Sequence, residues 1–225
     1  MQFFDRLFAA TADARRGFMS TPVIRRALAE GVSRELYLAF LAQAYHHVKH
    51  TCPLLRRAMA ACGPADGGYR TALQQYIDEE LGHEAWILDD IRALGGNADV
   101  VRDALPGLPC RVMVAYVYHA IEQFSPYAML GMVHVLEGMS VALAQLGVQA
   151  VKRSLALEGE AGFSYLTSHG ALDQDHVAFF RDLVNEISDE TAQAHIIETA
   201  RVIYQLYGNM FRALDGDSEA AFRAA

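Results

Sequence analysis

Proline, cysteine and positive charge are all scarce in this chain of 225 residues. There are six prolines and no convincing alternating strand pattern, which leaves long stretches free to be helical. The three cysteines, Cys52, Cys62 and Cys110, are odd in number and lack CxxC spacing, which argues against a disulfide framework or a zinc knuckle. The 19 basic residues are outnumbered by 27 acidic ones, and the net charge of −8 argues against a nucleic-acid or anionic-membrane partner.

Targeting signals and linkers are missing as well. Residues 1–6 contain no charged segment followed by an apolar core and a cleavage site, and no apolar run reaches about 18 residues. We therefore expect a cytoplasmic protein with reduced cysteines and no membrane partner. Because no linker, low-complexity segment or internal repeat divides the chain, we expect one domain over residues 1–225, with a frayed tail after about 216.

Apolar residues recur at helical spacing through nearly the whole chain, so the predicted fold class is all-α, a bundle of about seven to nine helices. Proline, glycine and capping residues set the expected boundaries. The predicted segments are 3–18, 22–29, 33–62 with a kink or break at Pro53, 69–94, 97–105, 109–125, 126–157, a helix bearing residues 165–187, and 188–214.

One of these helices carries His169, Asp173 and His176 in a single column, because residues four and seven apart project from nearly the same face. The rest of that face is apolar, so the column points into the core, where unpaired polar groups are costly. Two imidazoles and a carboxylate are a usual ligand set for iron, manganese or zinc. Asp175 lies off that face and is predicted to be solvated. A buried His–Asp hydrogen-bond network is the alternative interpretation.

A second candidate lies within the predicted helix 69–94. Glu80 and His83 have the ExxH spacing of carboxylate metal sites in helical bundles, although a solvated pair at this spacing is common. Glu79 is expected to face solvent. Glu84 projects onto the apolar stripe, where it either competes with Glu80 as a ligand or accepts a hydrogen bond from a ligating histidine.

The third candidate is Glu137, which stands in the middle of an apolar helix face. Such a carboxylate has a raised pKa or needs a cationic partner, and no basic residue lies one turn away on that face. His134, three residues earlier, is either a companion or a simple pocket histidine. Three carboxylates and three histidines from three helices suffice to bind two divalent metals with positions open for oxygen and substrate.

These motifs resemble those of a known family, the heme-oxygenase-like di-metal oxidases, which share the TenA and PqqC scaffold. The stretch from Glu80 to Trp86 is similar to the first ligand helix of UndA-like members, Glu137-Gly138 to the central one, and the His-x3-Asp-x2-His column to the last. The resemblance implies a heme-oxygenase/TenA-like bundle and a homodimer. Several relatives place the first histidine seven residues after the glutamate, where this chain has Ile87.

The ligand set that the resemblance implies is Glu80, His83, Glu137, His169, Asp173 and His176, binding two iron ions, with manganese as a possible substitute. The implied function is a non-haem di-iron oxidase or oxygenase that uses dioxygen to oxidise a small carboxylic-acid or amino-acid-like substrate, fatty-acid decarboxylation being one such reaction. One alternative is a metal-free TenA-like hydrolase or lyase acting on a thiamin-related pyrimidine, with Cys110 as the nucleophile. A PqqC-like cofactor-independent oxidase is the other.

The remaining candidates concern the substrate pocket. His46 and His50 share a helix face beside Pro53, and they are predicted to line the pocket, with Lys49 meeting a substrate carboxylate. Further pocket or ligand-supporting positions are Tyr76, Glu84, His134 and Tyr165. Because the ligand positions are surrounded by apolar residues, the pocket should favour a molecule with a hydrocarbon portion and a carboxylate.

Overall fold

A computed structural model describes residues 1–156 and 161–217, apart from the side chains of 169–175 and 216–217. Every regular element in these ranges is helical, which confirms the all-α fold class. The α-helices are α1 (Phe3–Ala10), α2 (Ala12–Met19), α3 (Pro22–Glu30), α4 (Arg34–Val48), α5 (Thr51–Ala61), α6 (Gly67–Glu80), α7 (His83–Ala93), α8 (Ala98–Asp103), α9 (Leu108–Gln123), α10 (Met129–Leu155), α11 (Ser164–Glu186) and α12 (Glu190–Asp217), with a 3₁₀-helix at Pro126–Ala128.

The nine predicted segments correspond to these twelve described α-helices because three of the segments are each divided in two. The first divides at Thr11, whose hydroxyl donates a hydrogen bond to the Leu7 carbonyl (2.8 Å). Another divides between Val48 and Thr51. Pro53 therefore lies in the first turn of α5, where its missing N–H costs nothing, rather than inside a kinked helix. The third division, within 69–94, lies at the candidate site.

Most predicted helix ends are confirmed. Ser33 caps α4 by accepting a hydrogen bond from the Leu36 N–H (3.1 Å). At the last helix, however, the cap is Asp189 and not Ser188, because the Asp189 carboxylate accepts from the Thr191 N–H (2.9 Å). The predicted turn at 159–162 lies partly outside the described residues, and so does most of the tail after 216.

Helix α10 is the central element of the bundle. Its residues belong to both groups of buried apolar side chains, a large one shared with α5, α6, α9 and α12 and a smaller one shared with α4 and α7. At Gly131, α10 crosses α12 so closely that a Cβ would lie 2.7 Å from the Ile196 carbonyl oxygen. Helix α11, which carries His169, Asp173 and His176, packs along α10 and against α7.

By length and composition, the stretch Pro126–Leu155 is apolar enough to cross a membrane, although the sequence indicated no apolar run of that length. Of its most apolar 18-residue window, 56% is buried inside the protein. Because the core helices of soluble proteins have the same character, this single stretch is weak evidence for a membrane span.

Candidate metal centre

Glu80 and His83 meet at a break between two helices. Helix α6 ends at Glu80 and α7 begins at His83, so the prediction of one continuous helix over 69–94 is wrong. Gly82 forms the break with a φ of 93°, a conformation that favours glycine, and Leu81 is exposed. The turn nevertheless brings His83 Nδ1 to 3.1 Å from Glu80 Oε2, with both side chains buried.

Helices α10 and α11 bring two further groups to Glu80. His176 Nδ1 lies 3.7 Å from Glu80 Oε1 and 3.9 Å from Glu137 Oε1. The His176 ring is buried, and the Glu137 side chain is only 13% exposed. Three chain segments that are distant in sequence therefore place two carboxylates and two imidazoles in one cluster.

The side chains of His169 and Asp173 lie outside the described residues, so their place in the cluster stays a prediction, as does the contrast with Asp175. The backbone of α11 is helical from Ser164 to Glu186, which is the condition that the predicted column requires. Among the described side chains, no three His, Cys, Asp or Glu residues form a group able to hold a metal by themselves.

Sequence reasoning missed a contact of Glu79. Its side chain is 37% exposed, as expected for a residue that faces solvent, yet it also reaches His176. Glu79 Oε2 lies 3.1 Å from His176 Nε2, while Oε1 accepts a hydrogen bond from the Gln75 amide (3.0 Å). The signal that could have indicated this contact is the position of Glu79 next to Glu80 at the end of α6. Adjacent side chains at a helix end point in different directions and can contact different sides of a neighbouring residue.

Asp90 on α7 was missed as well. Its buried carboxylate accepts three hydrogen bonds from the start of α11: from the Ser164 N–H (2.9 Å), the Ser164 hydroxyl (2.7 Å) and the Tyr165 N–H (2.8 Å). Burial raises the pKa of Asp90, and these hydrogen bonds oppose that shift. The signal that could have indicated a buried Asp90 is its position directly before the core residue Ile91.

A cavity of about 210 Å³ lies against the carboxylates, with Glu80 and Glu137 in its wall. The wall is otherwise mainly apolar and comes largely from α3, α4, α10 and α12, and no lysine or arginine belongs to its described lining. Polar groups in the lining are few: Tyr37, His47, Thr51, Tyr76, Ser140, Tyr165 and Tyr207. This agrees with the apolar pocket expected from the sequence.

His46, Lys49 and His50 do not line this cavity, contrary to expectation. The Lys49 ammonium lies 5.1 Å from the Tyr45 ring centroid, and His50 Nδ1 is 3.2 Å from the Tyr118 hydroxyl. His46 is buried, and burial, with the nearby charges of Lys49 and His50, lowers its pKa to about 4. The cavity-facing histidine of α4 is His47, because the helix face turned toward the cavity is one residue away from the predicted one.

The other predicted supporting residues have different surroundings. The Tyr76 ring centroid lies 6.0 Å from that of His176, and burial, followed by the charge of Glu137, raises the Tyr76 pKa. Tyr165 lines the cavity, and Glu84 lies half-buried in the first turn of α7. His134 does not line the cavity, contrary to the expectation of a pocket histidine, and its Nε2 is 3.2 Å from the Thr11 hydroxyl in the core.

The donor chemistry of the cluster fits a divalent metal. Two carboxylates on the wall of an apolar cavity are costly without a cation, and the described cavity lining contains no basic residue except His47. Carboxylate oxygens and imidazole nitrogens are donors that iron and manganese accept, and His176 Nδ1 lies within 4 Å of both carboxylates.

A helical bundle with a buried carboxylate–histidine cluster beside an apolar cavity is typical of metal-dependent redox proteins. The chain belongs to the family of iron-containing redox enzymes, whose model matches residues 38–208. No curated protein matches the chain in sequence.

Solved structures show the same heme-oxygenase-like fold at low sequence identity. A domain of unknown function from Shewanella denitrificans OS217 is 18% identical with a TM-score of 0.89, covering 99% of this chain and 96% of that one. Heme oxygenase-1 from Synechocystis, solved with heme, is 13% identical with a TM-score of 0.76, covering 100% and 97%. A TenA homologue from Pseudomonas syringae is 12% identical with a TM-score of 0.74, covering 95% and 91%. These likenesses establish the fold alone.

Proposed function

We propose that this protein is a non-haem di-iron oxidase or oxygenase that uses dioxygen to oxidise a small carboxylic-acid or amino-acid-like substrate. The observation that carries the proposal is the approach of His176 to within 4 Å of both Glu80 and Glu137 at the wall of an apolar cavity. Membership of the iron-containing redox family supports it.

The residues that would hold the metals are Glu80, His83, Glu137, His169, Asp173 and His176. When bound, two iron ions, or manganese in their place, supply the activation of dioxygen that the side chains cannot provide. Asp90 supports this set through its hydrogen bonds to the first turn of α11, the helix that carries three of the six residues.

The cavity favours a substrate with a hydrocarbon portion because most of its wall is apolar. An acidic head group finds no lysine or arginine in the described lining, and the carboxylates of Glu80 and Glu137 would repel it in the absence of a metal. Within the wall, the Tyr76 hydroxyl is a donor suited to orienting a polar substrate atom near Glu137.

The metal-free alternative requires a reactive thiolate at Cys110, and the surroundings of this residue do not favour one. Cys110 is buried outside the cavity lining, and its sulfur lies 3.7 Å from the Gln43 carbonyl oxygen. Burial raises the pKa of the thiol to about 11, so the nucleophilic form is scarce at neutral pH.

We also propose that the protein acts as a cytoplasmic, single-domain homodimer without a nucleic-acid or membrane partner.

The decisive measurement is the iron content of the purified protein, with oxygen uptake by the ferrous form in the presence of medium-chain fatty acids or amino acids. We expect His176→Ala and Asp173→Asn to lose metal while their helical content is retained. Asp175→Asn is the matched control and should bind normally, because Asp175 lies off the predicted ligand face. Glu80→Gln should likewise weaken binding more than Glu84→Gln.

Two outcomes would contradict the proposal. One is stoichiometric iron binding by a variant that lacks both His169 and His176. The other is turnover of a thiamin-related pyrimidine by the iron-free protein in a manner that depends on Cys110.

A further inference from the structure

The His176 ring has acidic groups at both of its nitrogen atoms. Nε2 lies 3.1 Å from Glu79 Oε2, which is a hydrogen-bonding distance. Nδ1 faces Glu80 Oε1 at 3.7 Å and Glu137 Oε1 at 3.9 Å, and both separations are too long for hydrogen bonds. The ring itself is buried, with 5% of the residue exposed.

The contact with Glu79 determines which nitrogen carries the proton. A neutral imidazole has one N–H donor and one lone pair, whereas a carboxylate only accepts hydrogen bonds. The N–H therefore belongs at Nε2, next to Glu79. In the neutral ring, the lone pair at Nδ1 then points toward two carboxylates, and this repulsion is relieved either by a second proton on the ring or by a metal cation among the three groups.

Glu79 is itself held in place and is separate from the cavity. Its Oε1 accepts a hydrogen bond from the amide of Gln75, one turn earlier on α6, while Oε2 faces His176. Glu80 and Glu137 belong to the cavity wall, but Glu79 does not. The two successive glutamates at the end of α6 thus lie beside different nitrogens of the same imidazole.

We infer that Glu79 is a positioning residue that holds His176 with Nε2 protonated, so that Nδ1 is the nitrogen that ligates the metal. This inference rests on the proposed metal site, and it assigns to Glu79 a role that differs from that of Glu80. Carboxylates that receive the second N–H of a ligating histidine fix its ring and its tautomer, and their loss weakens metal affinity by about 10–100-fold.

The first test compares Mn(II) and Fe(II) affinity in the wild-type protein with that of Glu79→Ala, Glu79→Gln and Asp78→Ala. Glu79→Ala should weaken binding about 10–100-fold, and Glu79→Gln should recover part of the loss because its amide oxygen still accepts from Nε2. Asp78 is the matched control, since it is exposed and contacts only the Gln74 amide among the described hydrogen bonds. Asp78→Ala should bind as the wild type does.

The second test needs no metal. In metal-free protein labelled with ¹⁵N-histidine and titrated until the His176 ring is neutral, with His176→Gln used for assignment, His176 should show the Nε2–H tautomer, and Glu79→Ala should shift it toward a mixture. Circular dichroism checks that each variant keeps its helices.

These outcomes separate the two proposals. If the wild type binds neither metal, the proposed function fails. If the wild type binds but Glu79→Ala binds equally well, or if His176 carries its proton on Nδ1, only the inference about Glu79 is overturned.

Discussion

Replacing Asp90 should destabilise the protein and weaken its metal site together. The Asp90→Ala variant loses three hydrogen bonds of 2.7–2.9 Å and leaves the N–H groups of Ser164 and Tyr165 without their acceptor at the start of α11. At about 1 kcal/mol net for each hydrogen bond, with half-buried donors that water can partly reach, the free energy of unfolding should fall by about 2–4 kcal/mol.

Asp90→Asn gives a graded result from the same site. The amide keeps the oxygen that serves both groups of Ser164, but it presents an NH₂ group to the Tyr165 N–H, so a loss of about 1–2 kcal/mol is expected. Asp89→Asn is the matched control. It removes only an exposed ion pair with Arg92, which contributes at most about 1 kcal/mol.

Urea denaturation followed by circular dichroism measures these differences, and Mn(II) titration of the folded variants measures the effect on the site. Because α11 carries three of the six predicted ligands, metal affinity should decrease in the order Asp89→Asn, Asp90→Asn, Asp90→Ala. Equal urea midpoints for the Asp89 and Asp90 variants would refute the reasoning.

Two further predictions concern stability. Gly131→Ala should lower the free energy of unfolding by about 1–3 kcal/mol, because its Cβ would lie 2.7 Å from the Ile196 carbonyl oxygen. Gly138→Ala on the same helix meets nothing within 4 Å and should raise it by up to about 1 kcal/mol. Equal urea midpoints for the two variants would contradict this prediction. The pKa of His134 is lowered to about 4, first by burial and then by Arg15, so the neutral form is favoured in the folded state. The contribution of neutral His134 to the free energy of unfolding is therefore complete above about pH 6.5 and is lost as the pH falls toward about 4. The free energy of unfolding changes by an amount on the order of 3 kcal/mol over this interval. Urea midpoints at pH 7 and pH 4.5 should differ less in His134→Phe than in the wild type, although His46 retains a similar response; an unchanged difference would contradict the assignment.

The fold class and most helix boundaries could be predicted because they depend on local signals. Apolar spacing and caps such as Ser33 act within a few residues, and the structure confirms them. The break at Thr11 was not predicted, since the apolar pattern continues across it, and the break expected at Pro53 lies slightly earlier, between Val48 and Thr51. Helical periodicity reports which residues are buried, but it does not report whether the chain changes direction between them.

Residue types at the candidate site could be predicted better than their surroundings. The approach of His176 to Glu80 and Glu137 joins three helices, and the sequence indicated it through the cost of burying each group alone and through the family resemblance of the three motifs. The face of α4 was assigned one residue away, so His46 and not His47 was expected in the cavity. An error of one residue rotates a helix by about 100°, which exchanges a cavity face for a neighbouring one.

The pair Glu80 and His83 shows how a correct residue assignment can rest on the wrong geometry. The ExxH spacing predicts contact because residues three apart on one helix share a face, yet here the helix ends between them. Contact survives because Gly82, at a φ of 93°, turns the chain so that the first residue of α7 lies against the last residue of α6. A side chain at Gly82 would meet no neighbour within 4 Å, so the requirement for glycine comes from the backbone conformation and not from packing. The contact between Glu80 and His83 therefore depends on Gly82 as well as on the spacing of the two residues. In this chain the ExxH spacing brings the two candidate ligands together only because a glycine stands between them.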